Sequence, residues 1–451
     1  MPTWIMRWYS STVKRRTGSG GGAGIPGAAT IVLMRRMIPQ RLGGVLRNGS
    51  SMGALSSEAW TVTARWVFPV DRPPLERGVV VVKAEKIVAV EPHGRLTPDL
   101  DLGDAAVLPG LVNAHTHLDL SGMRGLAPPT PDFTDWLKQV IAYRRLRTPE
   151  QVQNDIRTGL AECLRFGTTL LGDISGDGGS WNALADVSLR AVVFRELIGL
   201  TPERAGTAWP NLRLWLDERK AGPTRRAGVS PHSPYSVNSS LFRHAARAGC
   251  PVAVHLAESA AEMELLESRT GPLVPFLQEL GVWHPQALAP SVNWVLWQTA
   301  RASPLLYAHG NYLRPDAPLP RNATIVYCPR THAAFSHPPH PFREFLARGV
   351  RIAVGTDSLA SNPDLDVLAE IRFLHRLYPD VPGAVLLRMA TLTGAEALGW
   401  ADEAGSLTPG KSADFAVVPL PDRDDEPHRL LLDSDVPVCR VLFRGRWVFT
   451  S

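Results

Sequence analysis

The stretch "PGLVNAHTHLDLSGMRG", Pro109–Gly125, places two histidines one residue apart at the end of an apolar run. Alternate side chains of a β-strand lie on the same face, so the imidazoles of His115 and His117 point the same way. Two imidazoles on one face are typical of a metal site, although a chance pairing gives the same pattern. The rest of the chain has to decide between these interpretations.

Residues 108–399 repeat the arrangement of an apolar strand followed by a longer amphipathic stretch. Eight strand candidates can be read along the chain: "GLVNAHTH", "GTTLLGDIS", "RAVVFRELIGL", "AGVSPHSPYS", "CPVAVHLAES", "PLLYAHGNYL", "ATIVYCPRTH" and "VRIAVGTDSL". Helix signals lie between them, such as Thr148 as an N-cap, Pro149 in the first turn and Gly167 at the end. This pattern predicts an α/β fold, a (β/α)8 TIM barrel with its site at the carboxyl ends of the strands.

The two ends of the chain differ from this middle region. Residues 58–107 and 400–451 read as short alternating strands, which predicts one small β-sandwich built from both ends. Residues 1–57 hold eight basic and no acidic residues and contain "TGSGGGAG", a composition typical of disorder. Two interpretations of this leader are open: a targeting segment, or sequence upstream of a translation start at Met52. We favour the second.

Composition excludes several classes of protein. Outside the leader, 40 basic and 43 acidic residues remain, a balance that does not predict nucleic-acid binding. No apolar run approaches the roughly 20 residues that cross a membrane. The four cysteines form no CxxC pair, which disfavours a disulfide framework and a cysteine-only zinc site. We therefore expect a cytoplasmic protein that acts on a small-molecule substrate.

Five polar residues end predicted barrel strands and should meet at the barrel mouth: His115, His117, His255, His309 and Asp357. One such histidine is more often a hydrogen-bonded core residue, but five in this position favour a metal centre. Three imidazoles and a carboxylate hold a divalent metal, which lowers the pKa of its water from about 15.7 to near 7. Glu258, three residues after His255, is placed to carry a proton, with a solvated ion pair as the alternative.

At this point the motifs "PGLVNAHTH", "HLAES", "YAHG", "CPRTH" and "AVGTDSLASN" resemble the amidohydrolase superfamily, in its branch of nucleoside and heterocycle deaminases and chlorohydrolases. The resemblance covers about residues 60–449 and implies the following metal ligands: His115, His117, His255 and Asp357. It implies that Glu258 transfers protons and that His309 lies against the hydrolytic water or the substrate. In the mechanism expected from these roles, Asp357 and His309 take and hold the proton of the water. One divalent ion is expected because "VSPHSPYS" lacks the bridging lysine of the binuclear branch. Zinc is the first choice, with iron and manganese as alternatives, and the family's dimers imply a homodimer.

The substrate contacts are predicted from the loops around the mouth. His232 in "SPHSPYS" resembles a substrate-contacting family element, and His332 stands in "CPRTH" where deaminases of the branch commonly have asparagine. The remaining candidates are loop residues and arginines that match a carboxylate: Asp119, Ser121, Trp136, Arg124, Arg195 and Arg330. Packing or capping explains each of them equally well. A second metal site at His332, His337 and His340 is disfavoured because these residues lie in a proline-rich loop.

These features predict hydrolytic removal of ammonia from an sp² carbon, although the same centre can cleave an amide or displace chloride. The motifs are most similar to aminodeoxyfutalosine deaminases, which implies 6-aminodeoxyfutalosine as substrate and a role in menaquinone biosynthesis. Deaminases of S-adenosylhomocysteine, methylthioadenosine or another heterocycle are the alternatives. The unrelated zinc deaminases need "HxE" and "PCxxC", which this chain lacks. A non-catalytic scaffold is disfavoured because every candidate ligand is retained.

Overall fold

The computed structural model describes residues 58–451, so the predictions for residues 1–57 lie outside the described residues. Seven short strands come first: β1 Ala59–Thr63, β2 Trp66–Val67, β3 Leu75–Glu76, β4 Val79–Lys83, β5 Lys86–Glu91, β6 Leu100–Asp101 and β7 Ala105–Pro109. Within residues 58–451, none of the helices combines the length and the apolar character that a membrane crossing requires.

Eight parallel strands follow, and neighbours along the chain are neighbours in one sheet. They are β8 Leu111–Thr116, β9 Thr168–Ser175, β10 Arg190–Leu197, β11 Arg225–Pro231, β12 Val252–Leu256, β13 Leu305–His309, β14 Ala323–Tyr327 and β15 Arg351–Val354. Nearly all their residues are buried, which explains why they read as continuous apolar runs rather than as alternating ones. The predicted eight-stranded barrel is confirmed.

The two edge strands of this sheet are β8 and β15, and the segment after β15 reaches β8 at an isolated parallel bridge between Thr116 and Asp357. The Asp357 N–H donates to the His115 carbonyl at 3.0 Å, and the Thr116 hydroxyl donates to the Asp357 carbonyl at 3.1 Å. The barrel therefore closes directly beside residues that the sequence assigns to the metal.

Fourteen α-helices lie in the described part of the chain. They are α1 Phe133–Leu146, α2 Pro149–Arg165, α3 Ser180–Ala183, α4 Pro202–Asp217, α5 Ser239–Ala246, α6 Ala260–Ser268, α7 Leu273–Glu279, α8 Val292–Thr299, α9 Pro329–Ala334, α10 Phe342–Ala347, α11 Val367–Leu377, α12 Gly383–Met389, α13 Leu392–Ala397 and α14 Pro427–Leu432. Short 3-10 helices span Leu118–Met123, Leu184–Asp186 and Pro285–Ala287. Helix α2 begins as predicted, because Thr148 and Gln151 cap it reciprocally.

Three strands complete the fold: β16 Phe415–Pro419, β17 Arg440–Phe443 and β18 Arg446–Thr450. One sheet has the order β5-β4-β1-β6 and another the order β18-β17-β16-β7-β2-β3. Strand β7 pairs antiparallel with β16, so the two ends of the described chain share a sheet, as the sequence predicts. Buried side chains of both sheets, including Val62, Val80, Val107 and Phe415, form one apolar core.

Candidate active site

The five strand-end residues of the predicted metal centre come together at one end of the barrel. Ligand atoms of His115, His117 and Asp357 lie within 4.8 Å of one another, and so do those of His115, His255 and His309. The Nε2 atoms of His117 and His255 are 3.2 Å apart. Asp357 Oδ1 lies 3.6 Å from His115 Nε2 and 3.5 Å from His117 Nε2. Residues separated by up to 242 positions thus face one small volume.

Two of these side chains are oriented by neighbours outside the cluster. His255 Nδ1 lies 3.0 Å from the His232 carbonyl, so it carries the proton and leaves Nε2 as the free nitrogen that faces the cluster. Ser361 donates its hydroxyl to Asp357 Oδ2 at 2.8 Å, which leaves Oδ1 directed at the histidines. Such contacts hold potential ligands in one tautomer and one rotamer before anything binds.

The backbone at the strand ends leaves regular strand geometry. Ala257, His309 and Asp357 have φ angles of 52°, 68° and 58°, in the left-handed region that side chains rarely adopt. A residue with a left-handed φ breaks the two-residue alternation of a strand, so its own side chain and the next one point in new directions. This explains how His309 and Asp357 reach the cluster from the ends of their strands.

Glu258 lies beside the cluster, as predicted. Its Oε1 is 3.5 Å from His309 Nε2, and its side chain is 9% exposed. Burial, with added repulsion from Asp357 and Glu262, raises the pKa of Glu258 well above its usual value. This environment favours the protonated carboxyl, the form that a general acid requires.

The histidines have the opposite electrostatic preference. Burial lowers the pKa of His117 to about 3 and the pKa values of His255 and His309 well below their usual range. Burial alone would raise the pKa of Asp357, but its close contacts with His115 and the other imidazoles of the cluster hold it below its usual value. The cluster therefore presents neutral imidazoles and an ionised carboxylate, the forms that bind metal ions.

Unpaired nitrogens test whether these residues fit a divalent metal. Among residues 58–451, the buried Nε2 atoms of His115 and His309 have no hydrogen-bond partner. A buried polar atom without a partner is costly, and a metal ion would satisfy both. The donor set of imidazole nitrogens and one carboxylate suits a first-row divalent ion, so the residues fit the group that the sequence implies. The geometry places His309 as close to the cluster as the four predicted ligands.

The predicted substrate contacts on the first loop are near the site but are engaged by the chain itself. Asp119 is buried between Arg144 and Arg147, and Ser121 donates to the Leu118 carbonyl at 2.8 Å. Trp136 donates its indole N–H to the Ala127 carbonyl at 3.2 Å. Its ring contacts those of Phe133 and Phe335, with centroids 5.9 Å and 5.1 Å away, so it joins the loop after β8 to the loop after β14.

His232 is the predicted substrate residue that the structure places closest to the metal cluster. Its ring centroid is 4.8 Å from that of His255, and its Nδ1 lies within hydrogen-bond distance of the Ser233 and Ser236 hydroxyls. Its Nε2 is 3.8 Å from Glu196 Oε1. The side chain is 18% exposed, so this imidazole keeps a face open toward the mouth.

The remaining candidates have other partners. The Arg330 side chain is 13% exposed, and its guanidinium binds Asp364 and Glu370 at 2.7 Å each, so its charge is already paired within the chain. Arg124 pairs with Glu162, and Arg195 donates to the Asn211 carbonyl at 2.9 Å. These contacts argue against the expected role of the arginines as carboxylate partners.

His332 is also held by its own loop, through a contact of 2.9 Å between its Nε2 and the Pro338 carbonyl. His332, His337 and His340 do not form a candidate metal group among the described residues. Arg330 is therefore not one of the proposed substrate contacts, and His332 stabilises the conformation of its own loop.

Sequence reasoning missed a buried charged group beside His232. Arg144 on α1 donates to Glu196 at 2.7 Å and to Asp119 at 3.3 Å. Glu196 lies near the carboxyl end of β10, so the strand-end rule that found the histidines applies to it equally. Its Oε1 has no hydrogen-bond partner among the described residues. Arg144 could not be found this way, because nothing in "AYRRLR" distinguishes it from neighbouring arginines.

Comparison with known proteins is consistent with this geometry. A 5-methylthioadenosine/S-adenosylhomocysteine deaminase of Syntrophobacter fumaroxidans is 32% identical over 392 residues, which cover 82% of this chain and 84% of the relative. An aminodeoxyfutalosine deaminase of Deinococcus radiodurans is 30% identical over 317 residues, which cover 65% of this chain and 74% of the relative.

Solved structures share the fold over nearly the whole described chain. An adenosine deaminase from Xanthomonas campestris with bound zinc has a TM-score of 0.70 at 27% identity, covering 86% of this chain and 92% of that one. Aminofutalosine deaminase of Helicobacter pylori, in complex with methylthio-coformycin, has a TM-score of 0.75 at 24% identity. It covers 86% of this chain and 99% of its own, a likeness that shows the fold alone.

The model of the amidohydrolase family matches residues 106–448, which include every strand of the barrel and all six residues of the candidate centre. The chain belongs to the amidohydrolase family and is a hydrolase that acts on C–N bonds.

Proposed function

We propose that this protein is a metal-dependent hydrolytic deaminase of an aminated purine nucleoside. The observation that carries the proposal is the buried cluster of His115, His117, His255, His309 and Asp357 with Glu258 beside it. The names of the relatives support the substrate class, since each of those described above acts on an adenine nucleoside or a close analogue by its name.

The proposed metal ligands are His115, His117, His255 and Asp357. Zinc is the first candidate, supported by the donor set and by the zinc in the Xanthomonas campestris adenosine deaminase. When bound, a divalent ion of this kind supplies an activated water at neutral pH and polarises the group under attack. Everything else in the reaction is assigned to the residues of the chain.

Glu258 is the proposed proton donor to the purine ring. Its raised pKa favours the protonated carboxyl, the form that can protonate a ring nitrogen as water adds to the neighbouring carbon. Asp357, ionised and directed into the cluster by Ser361, accepts the proton of the attacking water. His309, 3.5 Å from Glu258, holds that water in place. The proton taken up by Asp357 passes to the amino group, which leaves the tetrahedral intermediate as ammonia, while the remaining hydroxyl proton returns to Glu258 as the carbonyl forms.

The substrate remains a choice between two candidates. The motif resemblance favours 6-aminodeoxyfutalosine, which would place the protein in menaquinone biosynthesis. The longer match to a methylthioadenosine and S-adenosylhomocysteine deaminase favours those nucleosides instead. Arg330 and Arg124, two of the arginines expected to bind the carboxylate of 6-aminodeoxyfutalosine, are already paired with carboxylates of the chain.

Ammonia release from a panel of nucleosides tests the proposal. Zinc-loaded protein would be supplied with 6-aminodeoxyfutalosine, methylthioadenosine, S-adenosylhomocysteine, adenosine and guanine. Glu258→Gln is the matched control, since it keeps the size of the side chain and the metal ligands. We expect this variant to retain its zinc and to lose roughly 10²- to 10⁴-fold in rate.

The pattern of release decides between the candidates. Release from 6-aminodeoxyfutalosine alone supports the menaquinone assignment, and release from methylthioadenosine or S-adenosylhomocysteine supports the alternative. Zinc-loaded protein that releases ammonia from no nucleoside would contradict the deaminase proposal. Amide and chloride hydrolysis on the same centre would then be tested.

A further inference from the structure

The backbone that carries Glu258 is joined to the backbone that carries His309. The Gly310 N–H donates to the Leu256 carbonyl at 3.0 Å, and the Tyr312 N–H donates to the Ala257 carbonyl at 2.9 Å. Between them, the Asn311 side chain donates through Nδ2 to the Glu258 carbonyl at 2.9 Å. Three consecutive residues after His309 thus bind three consecutive carbonyls that end with Glu258.

The other side of the same segment is bound by Glu262 on α6. Its Oε1 accepts the Ala257 N–H at 2.9 Å, and its Oε2 accepts the Glu258 N–H at 3.2 Å. Glu262 is completely buried, and its own N–H is bound by the Ser259 hydroxyl at 3.2 Å. The left-handed φ of Ala257 is therefore held by a carboxylate on one side and by residues 310–312 on the other.

Asn311 differs from the other donors because it acts through a side chain. It is 6% exposed, and its Oδ1 has no hydrogen-bond partner in residues 58–451. The Asn311 amide is therefore not part of a larger network, and its one contact is with the peptide of Glu258. Glu258 Oε1 stands 3.5 Å from His309 Nε2, a separation set by how these two backbones are joined.

We propose that Asn311 is a positioning residue that holds Glu258 against His309, with Glu262 holding the same peptide from the opposite side. The inference rests on the proposed role of Glu258 as proton donor. Displacing a reacting group by about 1 Å costs roughly 10²-fold in rate, so the loss of this contact should reduce kcat more than it changes KM.

The first test substitutes Asn311→Ala in the zinc-loaded protein, which removes the donor without adding charge. We expect kcat to fall roughly 10- to 100-fold, with KM changed less than about threefold and zinc content unchanged. Asn311→Gln, which keeps an amide donor on a longer chain, should recover part of the loss. A fall in kcat below threefold would overturn the proposal.

A matched control separates positioning from general destabilisation. Thr299→Val removes a buried hydroxyl on α8 that lies 2.6 Å from the Tyr307 hydroxyl, and Thr299 is not one of the residues of the described centre. It should lower Tm about as much as Asn311→Ala while leaving kcat unchanged. If the two variants lose activity in proportion to their loss of Tm, Asn311 has only a structural role.

The double variant Asn311→Ala/Glu258→Gln tests whether Asn311 affects the rate through Glu258. If Asn311 acts through Glu258, Asn311→Ala should have little further effect on the rate of Glu258→Gln, so the two losses should not add. Additive losses would overturn the proposal.

A crystal structure of Asn311→Ala gives an outcome that does not depend on the substrate. The Glu258 carboxyl should move away from His309 Nε2 by about 1 Å, and an unchanged position would overturn the inference. If wild-type protein deaminates no nucleoside but this displacement is observed, the proposed function fails while the positioning role of Asn311 stands.

Discussion

The barrel mouth and the junction between the barrel and the terminal strands both bury a carboxylate, but they treat it differently. At the junction, Asp414 accepts from the Ser412 hydroxyl and the Arg444 N–H at 2.9 Å each and is paired with Arg190. At the mouth, Asp357 faces neutral histidines, and Nε2 of His115 has no partner in the described chain. Asp357 and Asp414 are each only 4% exposed.

The two environments distinguish a buried carboxylate that stabilises the fold from one that is placed to bind a ligand. At the junction, both carboxylate oxygens of Asp414 are satisfied within the chain, which stabilises the fold and leaves nothing for a ligand. At the mouth, several polar atoms converge and remain unpaired, an arrangement that costs stability unless something binds there.

Asp357→Asn should abolish function at the mouth without unfolding the protein. The amide keeps an oxygen that can accept from Ser361 but cannot take the proton of water, so we expect a loss of roughly 10³-fold in kcat/KM. The free energy of unfolding of the metal-free protein should change by less than about 1 kcal/mol, since no internal cation is left unpaired. Ammonia release measures the loss of activity, and thermal unfolding measures the change in stability.

Arg190→Met should have the reverse effect at the junction. It leaves Asp414 buried without its cation, which should cost about 3–5 kcal/mol of the free energy of unfolding. Activity per folded molecule should stay within about twofold, because Arg190 lies outside the described centre. The double variant Arg190→Met/Asp414→Leu should regain much of the stability measured by urea unfolding, and no recovery would contradict the pairing argument.

Asp173, on β9, is a buried residue whose carboxyl has no hydrogen bond to a cation among residues 58–451. Its titration should make the stability of the fold depend on pH. Its Oδ1 accepts the Leu118 N–H at 3.0 Å, and burial raises its pKa to about 7. The folded state thus holds this proton more tightly than the unfolded state, so its stabilising effect is full below about pH 4 and is lost as pH rises through 7.

Asp173→Asn should remove this loss, because its amide oxygen can still accept from Leu118. Relative to wild type, the metal-free variant should gain on the order of 4 kcal/mol in the free energy of unfolding between pH 4 and 8. Denaturant unfolding at several pH values measures it. A difference that stays constant with pH would show that the carboxyl of Asp173 does not titrate as its burial requires.

Arg124→Ala should produce the smallest effect. Arg124 pairs with Glu162, but its side chain is 46% exposed, and surface ion pairs contribute about 0–1 kcal/mol. We expect unchanged KM for every nucleoside in the panel and a change in Tm of less than about 2 °C. A large rise in KM for 6-aminodeoxyfutalosine alone would show that Arg124 binds the substrate carboxylate and that the substrate site extends to this residue.

The strand-end residues were predictable because each follows an apolar run, and parallel strands bring such ends together. His115, His255 and Asp357 therefore needed no knowledge of distant contacts. The ion partners of Arg330 were not predictable, since Asp364 and Glu370 lie 34 and 40 residues away in a loop and on a helix whose packing the sequence does not reveal. The same limit concealed Arg144, whose importance depends on Glu196, 52 residues away on β10.

The single bridge between Thr116 and Asp357 has a consequence for how the barrel opens. Strands β10 and β11 are joined along seven residue pairs, whereas β8 and the segment after β15 meet at this bridge, with metal-site residues on both sides of it. An ion bound by His115, His117 and Asp357 would cross-link these two edges. Chelation should therefore speed amide hydrogen exchange in Leu111–Thr116 and Arg351–Val354 first, while Arg190–Leu197 remains protected.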